Sequence, residues 1–137
     1  MIYSPPPFYG GGKNLNFMAQ YDHLQIFRSS YKLTLEIYKA SHNFPREYKY
    51  TLGQKLKDFS SDFINLIILA NSQKEKSKTL EDARLKLEQL KIHIRLSSDL
   101  KILGINRFEL FAVSIEEISK QLSGWYDWSS QHTMEQK

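Results

Sequence analysis

Four histidines are the first residues to weigh for catalysis or metal binding: His23, His42, His93 and His132. They fall on separate segments, and none pairs with a carboxylate at the Glu-x-x-His spacing that helical di-iron bundles repeat on two helices. The motifs H-E-x-x-H and G-x-S-x-G do not occur. Cysteine is absent, which removes disulfides, thiolate metal sites and cysteine nucleophiles together. Asp58 with Asp62, and Glu116 with Glu117, are carboxylate neighbours that read as solvated helix faces. Gly12-Lys13 invites a phosphate-loop reading, but Asn14 stands where Ser or Thr is needed and no hydrophobic strand precedes it. With no convergent titratable set, the chain is expected to be no enzyme and to hold neither metal nor cofactor.

The chemistry that remains is electrostatic. Arg84, Lys91 and Arg95 are separated by seven and four residues, so they line one side of a helix. Lys86 lies at an adjacent angle, and Glu88 interrupts the row. One reading is a solvated face with Arg84–Glu88 or Glu88–Lys91 pairs worth a few tenths of a kcal/mol. The other is a basic strip that reaches RNA or DNA phosphates. Arg46, Lys49, Lys55 and Lys57 add positive charge near the start of the preceding helix. The formal net charge of +4 is unevenly spread: residues 1–96 hold 15 Lys+Arg against 9 Asp+Glu, and residues 97–137 hold 4 against 6. A field of that sign suits a nucleic-acid or acidic-protein partner. Gly124 is followed by Trp125, Tyr126 and Trp128, which can stack on bases or plug the bundle end or a subunit interface.

Helices must position these side chains. Leu24, Phe27, Tyr31, Leu35 and Tyr38 share one face of a helix expected over about Met18 to Asn43, widened by Ile26, Leu33 and Ile37. Pro45 ends it and opens the second helix as its first residue, with Leu52, Leu56, Phe59, Phe63, Leu66 or Ile67, and Ala70 as core stripe. Gly53 costs about 1 kcal/mol inside a helix, and close contact with the first helix is the plainer reason for it. Asn71 to Lys78 reads as a polar loop, and Thr79 with Asp82 as the cap of the third helix. Leu80, Ala83, Leu87, Leu90 and Ile94 form its stripe; Leu100 and Leu103 extend the burial, and Gly104 closes it. Asn106 and Glu109 resemble a capping box for the fourth helix, which carries Phe108, Phe111, Ala112, Ile115, Ile118 or Ser119, and Leu122, and stops at Gly124.

The expected fold is therefore all-α, an up-down-up-down four-helix bundle. Its parts are a Pro/Gly-rich tail over 1–17, the bundle over 18–124, and a C-terminal tail over 125–137. Of the 137 residues, 41% are hydrophobic, enough for one domain with its own core. The N-terminus lacks the pattern of a signal peptide. The longest apolar stretch, Phe63 to Ala70, is interrupted by Asn65 and too short to cross a bilayer, so a soluble cytoplasmic protein is expected.

The run Phe44-Pro45-Arg46-Glu47-Tyr48-Lys49-Tyr50-Thr51-Leu52-Gly53-Gln54-Lys55-Leu56 resembles the junction of the first two helices in a family of small bacterial four-helix-bundle proteins. The family includes proteins encoded in 23S ribosomal RNA intervening sequences and the accessory variability determinants of diversity-generating retroelements. The ending Ile115-Glu116-Glu117-Ile118-Ser119-Lys120-Gln121-Leu122-Ser123-Gly124-Trp125 is similar to the last helix of the accessory determinants, where Gly-Trp closes the helix. The resemblance spans about residues 20 to 126; the first 17 residues match nothing in the family. It implies a homopentameric barrel with a positive surface that binds a reverse transcriptase and its template RNA. It further implies support of error-prone cDNA synthesis in mutagenic retrohoming, with no chemistry of the protein's own. On that resemblance Arg46, Lys49, Lys55, Arg84, Lys86, Lys91 and Arg95 would supply the RNA and polymerase contacts, with Gly53 and Trp125 as packing residues. The alternative within the family is the intervening-sequence type, with a structural or ribosome-related role.

Overall fold

A computed structural model describes Tyr21 and residues 24–135, with side chains described through His132. The Pro/Gly-rich stretch, the expected helix start at Met18, and His23 lie outside the described residues. Among those residues the chain forms four long helices and no strand. They are α1 (Gln25–His42), α2 (Leu52–Ser72), α3 (Ser77–Asp99) and α4 (Ile105–Glu135), with a single helical turn at Arg46–Lys49 between the first two. Each packs on its neighbour in sequence, and α4 returns to α1 to close the ring; the α2–α3 seam is the most extensive and the α1–α4 seam the thinnest. Among the described residues, no helix is long and apolar enough to cross a membrane.

The core-facing stripe of α1 differs from the expected one. Ile26, Ser30, Leu33, Ile37 and Ala40 are buried, at spacings of four and three. Ile26, Leu33 and Ile37, expected to widen the face, are its centre; of the five leading positions only Phe27 is buried and Leu24 is half-buried, while Tyr31, Leu35 and Tyr38 are 36%, 45% and 45% exposed. The serine explains the misreading. The Ser30 hydroxyl donates to the Ile26 carbonyl at 2.6 Å, so a residue polar by composition is satisfied within its own helix and can face the core. Ser60 does the same in α2, donating to Leu56 at 2.9 Å. The aromatic stripe of α1 instead faces the α2 flank, where tyrosine can bury its ring and keep its hydroxyl wet.

Pro45 caps the short turn rather than opening α2, and its carbonyl accepts the Tyr48 and Lys49 N–H groups at 2.9 Å. The helix expected from Pro45 onward is broken at Tyr50 and Thr51, the latter at φ −111°, ψ −87°. The kink swings α2 against the end of α1, and Gly53 sits in that contact. A Cβ there would meet the Ser41 Cβ and the Tyr48 carbonyl oxygen at 3.4 Å. The expected α2 positions Leu52, Leu56, Phe63, Ile67 and Ala70 are buried, while Phe59 and Leu66 are half-buried on the α3 side.

Lys76 joins α2 to α3. Its ammonium donates to the carbonyls of Ala70 (2.8 Å) and Gln73, satisfying the orphan acceptors of the α2 C-terminus. Burial pushes its pKa below the ordinary lysine value. Thr79 is not a cap. It lies inside α3, 7% exposed, and its hydroxyl donates to the Gln73 side chain at 2.6 Å; the N-cap position falls three residues earlier at Lys76, and the helix opens at Ser77. The α3 stripe of Leu80, Ala83, Leu87, Leu90 and Ile94 is buried as the spacing predicts.

At the far end, the left-handed residue is Lys101 (φ 64°) rather than Gly104. The N–H of Lys101 donates to Ser98, and those of Ile102 and Leu103 to Ser97, folding the chain back so that Leu103 is buried while Leu100 stays 42% exposed. Gly104 precedes α4, its carbonyl accepting the Phe108 N–H at 2.9 Å; Asn106 is already helical and forms no capping box. α4 also runs through Gly124 without stopping. Gly124 has no left-handed φ, and the helix beyond it buries Ser129 and packs Trp125 and Tyr126 against the core, which offsets the cost of the glycine.

Candidate nucleic-acid interface

The basic residues singled out by spacing separate into three groups. Arg84, Lys91 and Arg95 are exposed on the side of α3 that borders α4. The Arg84 guanidinium lies 5.4 Å over the ring of Tyr126 on α4, whose hydroxyl donates to Glu81 at 3.1 Å. Lys91 and Arg95, with Glu88 and Glu116, rim a groove of about 500 Å³ between α3 and α4, floored by Leu87, Ile94, Phe108 and Ile115. Each of these two cations has an acid nearby: Lys91 Nζ stands 3.9 Å from Glu88, and Arg95 Nε 3.9 Å from Asp99. Both pairs are well exposed, so their mutual attraction is screened and their charges stay available to a stronger polyanion.

Lys86 is not part of this strip. It turns to the α2 side, with its Nζ 3.8 Å from Asp62 and 5.6 Å over the ring of Phe59. His93 shares that seam: its ring packs on Phe59 at 4.8 Å and its Nδ1 meets the Gln89 carbonyl at 2.7 Å, a structural role. Asp62 is thus a partner of Lys86 rather than half of a carboxylate pair with Asp58, which accepts from Gln54 at 3.0 Å instead.

Arg46, Lys49 and Lys55 form the third group, around the kink between α1 and α2. Arg46 and Lys55 are exposed, and Lys49 lies 6.0 Å over the ring of Tyr50. This end of the bundle is shared with the last turn of α3 and the first of α4, so Arg95 belongs to the same end. Spacing along the chain missed Arg107, which joins Ala40, Asn43, Phe44 and Leu103 around a cavity of about 650 Å³ there. One of its guanidinium nitrogens, Nη1, is buried with no hydrogen-bond partner. Arg107 is one of four cations in residues 97–137, where acids outnumber them, and only the return of α4 to the α1 end brings it near the basic junction.

Trp125 and Trp128 have different surroundings. Trp125 is half-buried against the core with the Lys76 ammonium 6.0 Å from its ring, whereas Trp128 is 50% exposed and stacks on His132 at 4.0 Å. Among the described residues, no group of three or more His, Asp or Glu is placed to hold a metal ion. The arrangement offers exposed cations on two sides of a helical scaffold.

No curated protein matches the chain significantly. A family model described as bAvd-like matches residues 24–128, which takes in all of α1, α2 and α3 and α4 as far as the exposed Trp128. The chain belongs to the bAvd-like family, the accessory variability determinants of diversity-generating retroelements.

Proposed function

We propose that this chain is a non-enzymatic accessory protein that binds a reverse transcriptase and nucleic acid, template RNA or its cDNA, during mutagenic retrohoming. The observation that carries this reading is the family match across the whole four-helix core, which suggests a retroelement accessory role. The electrostatics support the finer part. Arg84, Lys91 and Arg95 are the cations we assign to phosphate contact along α3, with Arg46, Lys49 and Lys55 as a second patch at the α1–α2 kink. Lys86, half-neutralised by Asp62, contributes to the field more than to direct contact.

The same reading includes assembly into a homopentamer. The outward side chains Leu85, Ile92 and Leu96 on α3, and Leu110 and Val113 on α4, are 44–70% exposed and supply apolar area for subunit contacts. Five copies would carry five times the +4 of one chain, turning a modest field into a strong one.

Fluorescence anisotropy with a structured RNA across a salt series tests the binding. Affinity in the micromolar range or tighter that falls steeply with salt supports phosphate contact. Negligible binding at low salt overturns it and leaves a protein-only adaptor. Sedimentation equilibrium tests the assembly, with a mass of five times the 16.1 kDa chain expected.

A further inference from the structure

The aromatic stripe that α1 turns away from the core lines a second groove, against α2. Tyr21, Phe27, Tyr31 and Tyr38 on one wall face Ile64 and Ile68 on the other, around an open volume of about 420 Å³ that is mostly apolar. The rings form a near-continuous ladder: Tyr21 and Phe27 have centroids 4.8 Å apart, and Phe27 and Tyr31 6.1 Å. Further along, the Tyr38 hydroxyl lies 3.2 Å from Ser61 Oγ and the Lys57 ammonium 5.4 Å from the Tyr38 ring. Tyr31, Leu35 and Tyr38 lie together along one flank and are each more than a third exposed. An apolar patch of that kind marks a docking surface.

We propose that the occupant is the chain's own N-terminal segment, with the aromatic and proline run Tyr3-Ser4-Pro5-Pro6-Pro7-Phe8-Tyr9 seated along the groove. Three observations point there. Tyr21 is itself a wall of the groove, so the segment enters at one end of it. The chemistry matches, because proline-rich segments are recognised by grooves lined with aromatic rings, and a run of prolines loses little entropy on docking. The lengths also match. Phe27 to Tyr38 spans about 16 Å at the helical rise of 1.5 Å per residue. The seven residues from Tyr3 to Tyr9 cover about 20 Å at the polyproline rise. Residues 10–20 put eleven positions between that run and Tyr21, three of them the glycines Gly10-Gly11-Gly12, whose lack of a Cβ permits a reversal of direction.

The absence of cysteine makes the test direct. In the full chain, Ser4→Cys is combined with Asn65→Cys, an exposed groove position on α2, or with Glu117→Cys, exposed on α4 outside the groove. Docking in cis raises the effective concentration of the groove pair, so its intramolecular disulfide is expected to form at least about tenfold faster than the α4 pair. Replacing Pro5, Pro6 and Pro7 by Ala in the groove pair should then slow the reaction severalfold. Equal rates for the two pairs overturn the proposal. Disulfides between chains in the groove pair overturn it as well, because they assign the groove to a second copy's segment.

Discussion

Replacing Arg84, Lys91 and Arg95 together by Gln tests the proposed phosphate-binding face without reversing its charge. The change removes three positive charges from a chain whose net charge is +4. Each phosphate contact contributes about 0.7–0.9 to the slope of log affinity against log salt, so losing three should lower that slope by about 2–3. At 0.1 M salt this corresponds to a loss of roughly a hundredfold or more in affinity. The effect on folding is much smaller. The Lys91–Glu88 and Arg95–Asp99 contacts at 3.9 Å are exposed pairs worth a few tenths of a kcal/mol each. The Arg84–Tyr126 stacking adds about 0.5–1 kcal/mol. Anisotropy across the salt series reads the slope, and thermal melting by circular dichroism reads the fold. An unchanged slope in a variant that melts within a few degrees of the parent would refute the assignment of this face.

Three further outcomes follow from the packing. Ile67→Ala, at a fully buried position of α2, should cost about 2–5 kcal/mol, read as a lower denaturant midpoint. Gly124→Ala should stabilise the protein by about 0.5–1 kcal/mol, because the position is interior to α4 and an added Cβ meets nothing within 4 Å; a lower melting temperature would show that α4 needs the glycine. Lys76→Met should cost about 1 kcal/mol by stripping the donor from the Ala70 and Gln73 carbonyls. Since burial lowers the Lys76 pKa, the unfolded chain holds that proton more tightly. The parent's stability relative to Lys76→Met should therefore rise as pH climbs from the lowered value towards 10.5, measured by urea titration at several alkaline pH values.

The helices are legible because three of the four core stripes are written in apolar residues at three and four spacing, as with Leu80, Ala83, Leu87, Leu90 and Ile94. α1 was harder for a physical reason. It carries two apolar stripes, and the inner one includes Ser30, whose hydroxyl is satisfied by its own backbone and so counts as small rather than polar. Helix ends were misplaced where tertiary contacts override local signals. Thr79 spends its hydroxyl on Gln73 instead of a cap, Lys101 takes the left-handed geometry expected of Gly104, and packing beyond Gly124 carries α4 onward.

The basic site was legible only as far as one helix allows. Spacing puts Arg84, Lys91 and Arg95 on one side of α3, and the structure keeps them together beside α4. What spacing along a single helix does not encode is the neighbour each side chain meets. Lys86 lies only two residues from Arg84, yet it points into the α2 seam, where Asp62 and Phe59 hold it. Arg107 carries no sequence signal at all, because its relation to Phe44 and the kink depends on four helices turning back on one another. The same logic explains the aromatic stripe of α1. Its periodicity is correct, but a stripe that faces a groove has the same sequence signature as one that faces a core, and only the partner helix decides whether the rings become interior or docking surface.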